Sequence, residues 1–337
     1  MQTALFPDSE TNLVGAAAPQ SAVVELAAAL PPALRLGTSS WHYPGWAGLV
    51  WDRDYPAEVL SRLGLPAYAR HPLFNTVGLD RSFYRPLSVA QFAEYAAQVP
   101  DDFRFVVKAP GLVTDALQRD GSGRGQQRNE NFLNPALVQP AFVEPALAGL
   151  GAKIGVLVFQ ISPLPVAWWN QMPALIARLR VLLQTARDLL ARSPEVIVAV
   201  EVRDAHWLTP AFTQALRDTG TTYCLGLHAK MPTIAEQLPI LRALWPGPLV
   251  CRWNLNPLHG AYGYEHAKDQ YSPYDRLIDP DPDTRAALAK VIAGTVGAGQ
   301  SAYVTLSNKA EGSAPLSVLA LAKDVRARLT ATVGNHP

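Results

Sequence analysis

What this chain has little of narrows the field first. Two cysteines, Cys224 and Cys251, stand among 337 residues. They lie far apart in sequence, each inside an apolar strand-like run, and no Cys-x-x-Cys pair is present. A disulfide framework is therefore excluded, and each is expected to be a buried free thiol behaving as a small hydrophobe. Charge is sparse as well. Only 17 % of residues are charged and the formal net charge is +1, which leaves no broad field for nucleic acid or a membrane surface. No apolar run reaches the roughly 18 residues a membrane-spanning helix needs. The first 30 residues carry Asp8, Glu10 and Glu25 but no Lys or Arg, so the basic start of a secretory signal is missing. A cytoplasmic location without a membrane partner is the expectation.

What is present is an alternation. Residues 1–33 are Ala/Pro-rich and read as a flexible tail, with a short helix over "AVVELAAAL". Residues 34–332 then read as one domain of eight short apolar runs separated by helical patterns. The runs are 34–40, 75–80, 103–109, 154–162, 196–203, 221–227, 249–254 and 302–308. Helix starts are visible at Ser88, at Thr209-Pro210 and at Asp283. Eight strand–helix alternations call for a parallel sheet, and the simplest closed form is a (β/α)8 TIM barrel. An open doubly wound sheet is the rival. It commonly carries a Gly-rich turn after its first strand, and Gly37-Thr38-Ser39-Ser40-Trp41 lacks the dinucleotide spacing. The segment "QRDGSGRGQQRNEN" (118–131) reads as a polar loop after strand three.

Substrate sites of such barrels form at the carboxyl ends of the strands, and here those ends are polar or aromatic. They supply Thr38 and Trp41, Asp80 and Tyr84, Lys108, Gln160, Glu201 and Arg203, His228, Arg252 and Asn254, and Asn308 and Lys309. Glu201 and Arg203 are two apart on an otherwise apolar strand, so both leave the face opposite Val200 and Val202. Either they form a structural ion pair closing the barrel, or they offer a carboxylate for proton transfer beside a fixed cation.

Several stretches together resemble one family. "GTSSWHYPGW", "TVGLDRSFYRPLS", "FRFVVKAP", "LVFQISP", "VAVEVRDAHWL" and "LSNKAEGSAP" follow in the order of the YecE-like family, a TIM-barrel domain of unknown function. The likeness runs from about Leu36 to the last helix. It implies that Gly37, Trp41, Trp46, Phe83, Tyr84, Lys108, Gln160, Pro163, Glu201, Arg203, Trp207, Arg252 and Asn308 occupy the family's recurrent positions. The chain departs from that pattern at Val77-Gly78-Leu79-Asp80, where a carboxylate is missing and an amide has become an acid. It also departs at Asp115, in place of a histidine, and at His259-Gly260, which stand farther from Arg252 than usual.

The residues support an enzyme, a hydrolase, lyase or isomerase, acting on a small polar anionic molecule such as a phosphorylated or carboxylated sugar. Glu201 is the candidate general acid/base, with Asp80 and Lys108 also in the catalytic set. Lys108, Arg203 and Arg252 would clamp the anion. Trp41, Tyr84, Gln160, Trp207, His259 and Asn308 complete the expected binding wall. A metal-dependent hydrolase or isomerase using Asp80, Glu201, His228 and His259 is an alternative, although no tight ligand spacing supports it and the main reading names no metal. A nucleic-acid-binding module using Arg119, Arg124 and Arg128 is another, against the neutral overall charge. The tyrosine-rich stretch 255–277 reads as a loop gripping a ligand or packing over the rim. No cofactor and no oligomeric state follow from these patterns.

Overall fold

The structure is a computed structural model and describes residues 13–120, 124–260 and 263–333. Eight strands, β1 (Leu34–Thr38), β2 (Thr76–Leu79), β3 (Arg104–Lys108), β4 (Ile154–Ile161), β5 (Ile197–Val202), β6 (Thr222–Leu227), β7 (Leu249–Trp253) and β8 (Ala302–Leu306), close into a barrel. Every neighbouring pair is parallel, and β8 closes on β1. Each strand lies within its expected run. The reason is that strands covered on both faces must be apolar nearly throughout; all eight residues of β4 are buried.

The strand period splits these residues between two cores. Val106, Val156, Val158, Ala199, Cys224, Val250 and Tyr303 fill the barrel interior. Val198, Val200 and Val202 point outward and join the layer shared with the helices. Ala199 and Glu201 therefore stand in one inward column, as the two-residue spacing requires. Cys224 and Cys251 are both buried free thiols, one inside the barrel and one in the outer layer.

Local signals place the helices. Ser88 caps Val89–Ala96 in a capping box with Gln91, and Thr209 caps Pro210–Asp218 with Pro at the first position. The helix expected to start at Asp283 begins earlier, at Pro282, with Asp281 as its cap accepting from Thr284 N at 3.0 Å. Proline's fixed φ suits a first helical position, so the start moves forward.

The supposed polar loop 118–131 contains instead a two-stranded antiparallel hairpin, Leu117–Arg119 with Gly125–Arg128. These strands are almost wholly exposed, so no apolar alternation announces them. Residues 121–123 lie outside the described residues. Of the Ala/Pro-rich stretch, residues 1–12 do too. Residues 13–33 lie on the barrel, where Val14 is buried and the helix Ser21–Ala28 turns Leu26 inward beside the closing helix Ala314–Val333. Among the described residues no helix is long and apolar enough to cross a membrane.

Candidate functional site

The inward columns of β3, β4, β5 and β7 change from apolar to polar at their carboxyl ends, and these ends meet in the barrel mouth. Gln160 and Glu201 are paired in register across β4 and β5. Glu201 is fully buried. Its Oε2 accepts from Arg252 Nη1 at 2.6 Å, and its Oε1 faces Arg203 Nη2 at 2.8 Å and Asn254 Nδ2 at 3.2 Å. Gln160 Oε1 accepts from Arg203 at 3.1 Å and from Arg252 at 3.3 Å. The other Arg252 nitrogen, Nη2, reaches both oxygens of Asp80, at 2.8 and 2.6 Å.

The electrostatics follow from this lattice. Burial alone would push the Glu201 carboxyl up, but Arg203 and Arg252 outweigh it and hold it at about 2. Arg252 is as deeply buried, and Asp80 and Glu201 keep it charged against that burial. Both of its terminal nitrogens are already committed. Arg203 is less saturated, since its Nε is buried without a hydrogen-bond partner.

Lys108 differs from both arginines. It is 8 % exposed, and its ammonium sits 3.6 Å from the centre of the Phe83 ring. Among the described residues it has no hydrogen-bond or ion-pair partner. Burial brings it down to about 7; Asp80 opposes the fall, while Arg252 and Arg203 add to it.

Gly78 lies one inward position before Asp80. A Cβ built there would stand 2.8 Å from Ser39 O. A side chain at this position would therefore need the chain after β1 to shift away.

Above the lattice lies a rim of tyrosines. Tyr43 packs on Trp46 at 4.9 Å and edge-on to Tyr274 at 5.3 Å. Burial raises its hydroxyl, and so do Tyr264, Tyr274, Asp80 and Tyr84. Tyr84 itself is 85 % exposed. Asp80, Lys108, Gln160, Glu201, Arg203 and Arg252 are thus brought together, with Tyr84 at the edge.

The remaining expected wall residues go elsewhere. Trp41 is buried and donates to Leu60 O at 3.1 Å, seating the helix Ala57–Leu63. Trp207 is buried edge-on to Phe212 at 6.0 Å, within the helix Pro210–Asp218. Asn308 Oδ1 accepts from Trp46 Nε1 at 3.1 Å and from Ala314 N at 2.8 Å, fastening the last helix. His259 Nδ1 lies 3.1 Å from His266 Nδ1 in the tyrosine-rich loop. Asp115 pairs with Arg119 at the base of the hairpin.

The four-ligand set Asp80, Glu201, His228 and His259 does not assemble. Two members are bound to Arg252, and His228 accepts from Lys230 N at 3.2 Å. Burial, then Arg203, brings His228 down to about 4. No group of three or more His, Cys, Asp or Glu placed to hold a metal occurs among the described residues. Three contributors escaped the sequence reading in their roles. Asn254 is two past Arg252, so its place on the inward face was legible; Phe83 was marked only by the family resemblance, and Tyr43 on the rim gave no separate signal.

Comparison with known proteins agrees with this frame. A DUF72 family protein of Enterococcus faecalis is 18 % identical, with a TM-score of 0.57 over 87 % of this chain and 95 % of its own. A DUF72 family protein of Thermotoga maritima is also 18 % identical, with a TM-score of 0.50 over 86 % of this chain and 98 % of its own. Both likenesses bear on the fold alone. No curated protein matches. Residues 35–337 match the family described as "Protein of unknown function DUF72", which is the YecE family that the motifs resemble, and the chain belongs to it.

Proposed function

We propose that the barrel mouth is an enzyme site for a small polar anion, a phosphorylated or carboxylated molecule, with Lys108 as the proton-exchanging group. The observation that carries this reading is the Lys108 ammonium, without a polar partner on a side chain only 8 % exposed, together with an Arg203 Nε that is buried and also lacks one. Asp80 and Glu201 are matched by Arg252 and Arg203, which leaves Lys108 without a carboxylate of its own. A buried charge or donor in that condition is costly, and a bound anion would satisfy both groups at once. A lysine near 7 also fits the requirement that a general acid or base titrate close to the working pH.

This assigns the roles differently from the sequence expectation. Glu201, held at about 2 with both oxygens engaged, is a poor proton carrier and serves to position Arg203 and Arg252. Arg252, saturated by two carboxylates, supports the site from below rather than clamping the ligand. Contact with the anion falls to Lys108 and Arg203, with Gln160 orienting the arginine.

A thermal-shift screen of phosphorylated sugars, nucleotides, carboxylates and neutral glycans tests the proposal. An anion at about 100 times its dissociation constant stabilises by about 2.7 kcal/mol, and Lys108→Met should abolish that response. A response to neutral glycans alone would overturn the anion site. A response to single-stranded nucleic acid alone would replace it with a binding module.

A further inference from the structure

A second lysine is held in the same unusual way. Lys309 lies in the turn Asn308–Ala310 directly after β8 and is 5 % exposed. Its ammonium is 4.3 Å from the centre of the Tyr264 ring and 5.7 Å from that of Tyr274. Among the described residues it has no hydrogen-bond or ion-pair partner. The acid that acts on it most, Glu265, is bonded to Lys268 at 3.0 Å. Burial brings Lys309 down to about 8. The residue is also fixed in place, because its carbonyl accepts from Asn256 N at 2.8 Å and its N–H donates to Ser307 Oγ at 3.2 Å.

Lys309 joins the same tyrosine rim, since the Tyr274 ring that lies 5.7 Å from its ammonium also stands 5.3 Å edge-on to Tyr43. Tyr264, whose ring covers Lys309, is within electrostatic reach of Asp80, Arg203 and Arg252. Its hydroxyl is raised by burial first and by Asp80 next, so it stays protonated and can donate. Around the barrel, β2 and β1 separate β3 from β8. Three strand spacings of ~4.8 Å put those strand ends at most ~14 Å apart. Lys309 stands three residues beyond its strand end, and a ligand reaching across that order of distance is on the scale of a small metabolite. One anionic group can satisfy Lys108 with Arg203, but it leaves Lys309 buried and unmatched.

We propose that the ligand carries an anionic group at each end, one held by Lys108 and Arg203 and the other by Lys309 with the Tyr264 hydroxyl. This rests on the anion site proposed above and narrows its substrate class to small bisphosphates or phosphate–carboxylates. Tyr43, Tyr264 and Tyr274 then wall the uncharged middle of the molecule.

Calorimetric titration with matched probes separates the two proposals. The pairs are glycerol 3-phosphate with 3-phosphoglycerate, and fructose 6-phosphate with fructose 1,6-bisphosphate. Doubly charged members should bind at least about tenfold more tightly than their partners. Lys309→Met should remove that advantage while leaving the singly charged probes unchanged, and Lys108→Met should weaken both kinds. In the unaltered protein the advantage should also shrink as the pH rises past about 8, which keeps the test valid if the variant fails to fold. Equal binding within each pair, or Lys309→Met weakening both members alike, overturns the two-ended ligand. In either case loss of binding in Lys108→Met would leave the single anion site standing. Absence of binding by every probe overturns both.

Discussion

Replacing Lys108 by methionine should make the protein more stable, and the gain should depend on pH. Met keeps the length and apolar stem but removes the charge. The fall of the lysine from 10.5 to about 7 corresponds to about 5 kcal/mol withheld from the folded state wherever the ammonium is charged. Its contact with the Phe83 ring returns about 0.5–2 kcal/mol, so a net gain of about 3–4 kcal/mol is expected at pH 6. The sign follows from proton binding. Between pH 7 and 10.5 the unfolded chain holds a proton that the folded chain has released, so the stability of the unaltered protein rises with pH across that window. The advantage of Lys108→Met should therefore be greatest below pH 7 and vanish near pH 10.5. No acid is stranded by the change, since Asp80 and Glu201 keep their arginines. Urea unfolding of both proteins at intervals from pH 6 to pH 10 measures the difference directly, because other titrating groups cancel. If Lys108→Met is less stable by the same amount at every pH, the ammonium has favourable partners and the case for an unmatched cation collapses.

Glu201→Gln should destabilise by roughly 3–5 kcal/mol at neutral pH, because two buried guanidinium groups lose their shared carboxylate; a melting temperature within a degree of the original would remove Glu201 from its structural role. Since the folded Glu201 is depressed to about 2 from 4.5, its contribution is present above about pH 4.5 and lost as the pH falls towards 2. Acid unfolding should accordingly be less steep in Glu201→Gln, as followed by circular dichroism. Gly78→Ala should cost about 1–3 kcal/mol through overpacking against Ser39 O, and unchanged thermal unfolding would show that β1 and β2 can separate freely. Affinity for anionic ligands should decline as the pH rises through about 7 and Lys108 loses its proton, whereas affinity constant from pH 6 to pH 9 would exclude Lys108 from the contact.

The strands were legible because closing a parallel barrel leaves them little freedom. Both faces of β4 are covered, so its apolar run and its boundaries nearly coincide. The hairpin Leu117–Arg128 was illegible for the opposite reason. Its two strands bury almost nothing, and backbone bonds such as Asp120 N to Arg124 O at 3.0 Å carry no side-chain signature. Residues 13–33 mix the two cases, since isolated buried positions such as Val14 and Leu26 do not make a pattern.

The site divides along the same line. Residues on the strands keep their facing by the two-residue period, so Lys108, Gln160, Glu201 and Arg252 could be assigned to one mouth without coordinates. Past the strand end that rule lapses, and a loop is free to turn a side chain inward or outward. Trp41 and Trp207 turn outward because each seats a helix, through Leu60 O and against Phe212, and the tryptophans themselves do not announce it. Role is a further step removed from position. Glu201 and Lys108 are both inward charges at strand ends, and the residue types favour the carboxylate as proton carrier. What reverses the preference is a matter of counting neighbours across the barrel. Glu201 faces two guanidinium groups and an amide from β5 and β7, whereas Lys108 faces an aromatic ring. That difference depends on register between strands roughly 50 to 90 residues apart: the guanidinium groups hold Glu201 at about 2, while burial without a carboxylate of its own brings Lys108 to about 7. A single sequence can name the groups that will titrate, but which of them is free to do so near neutral pH is a property of the closed barrel.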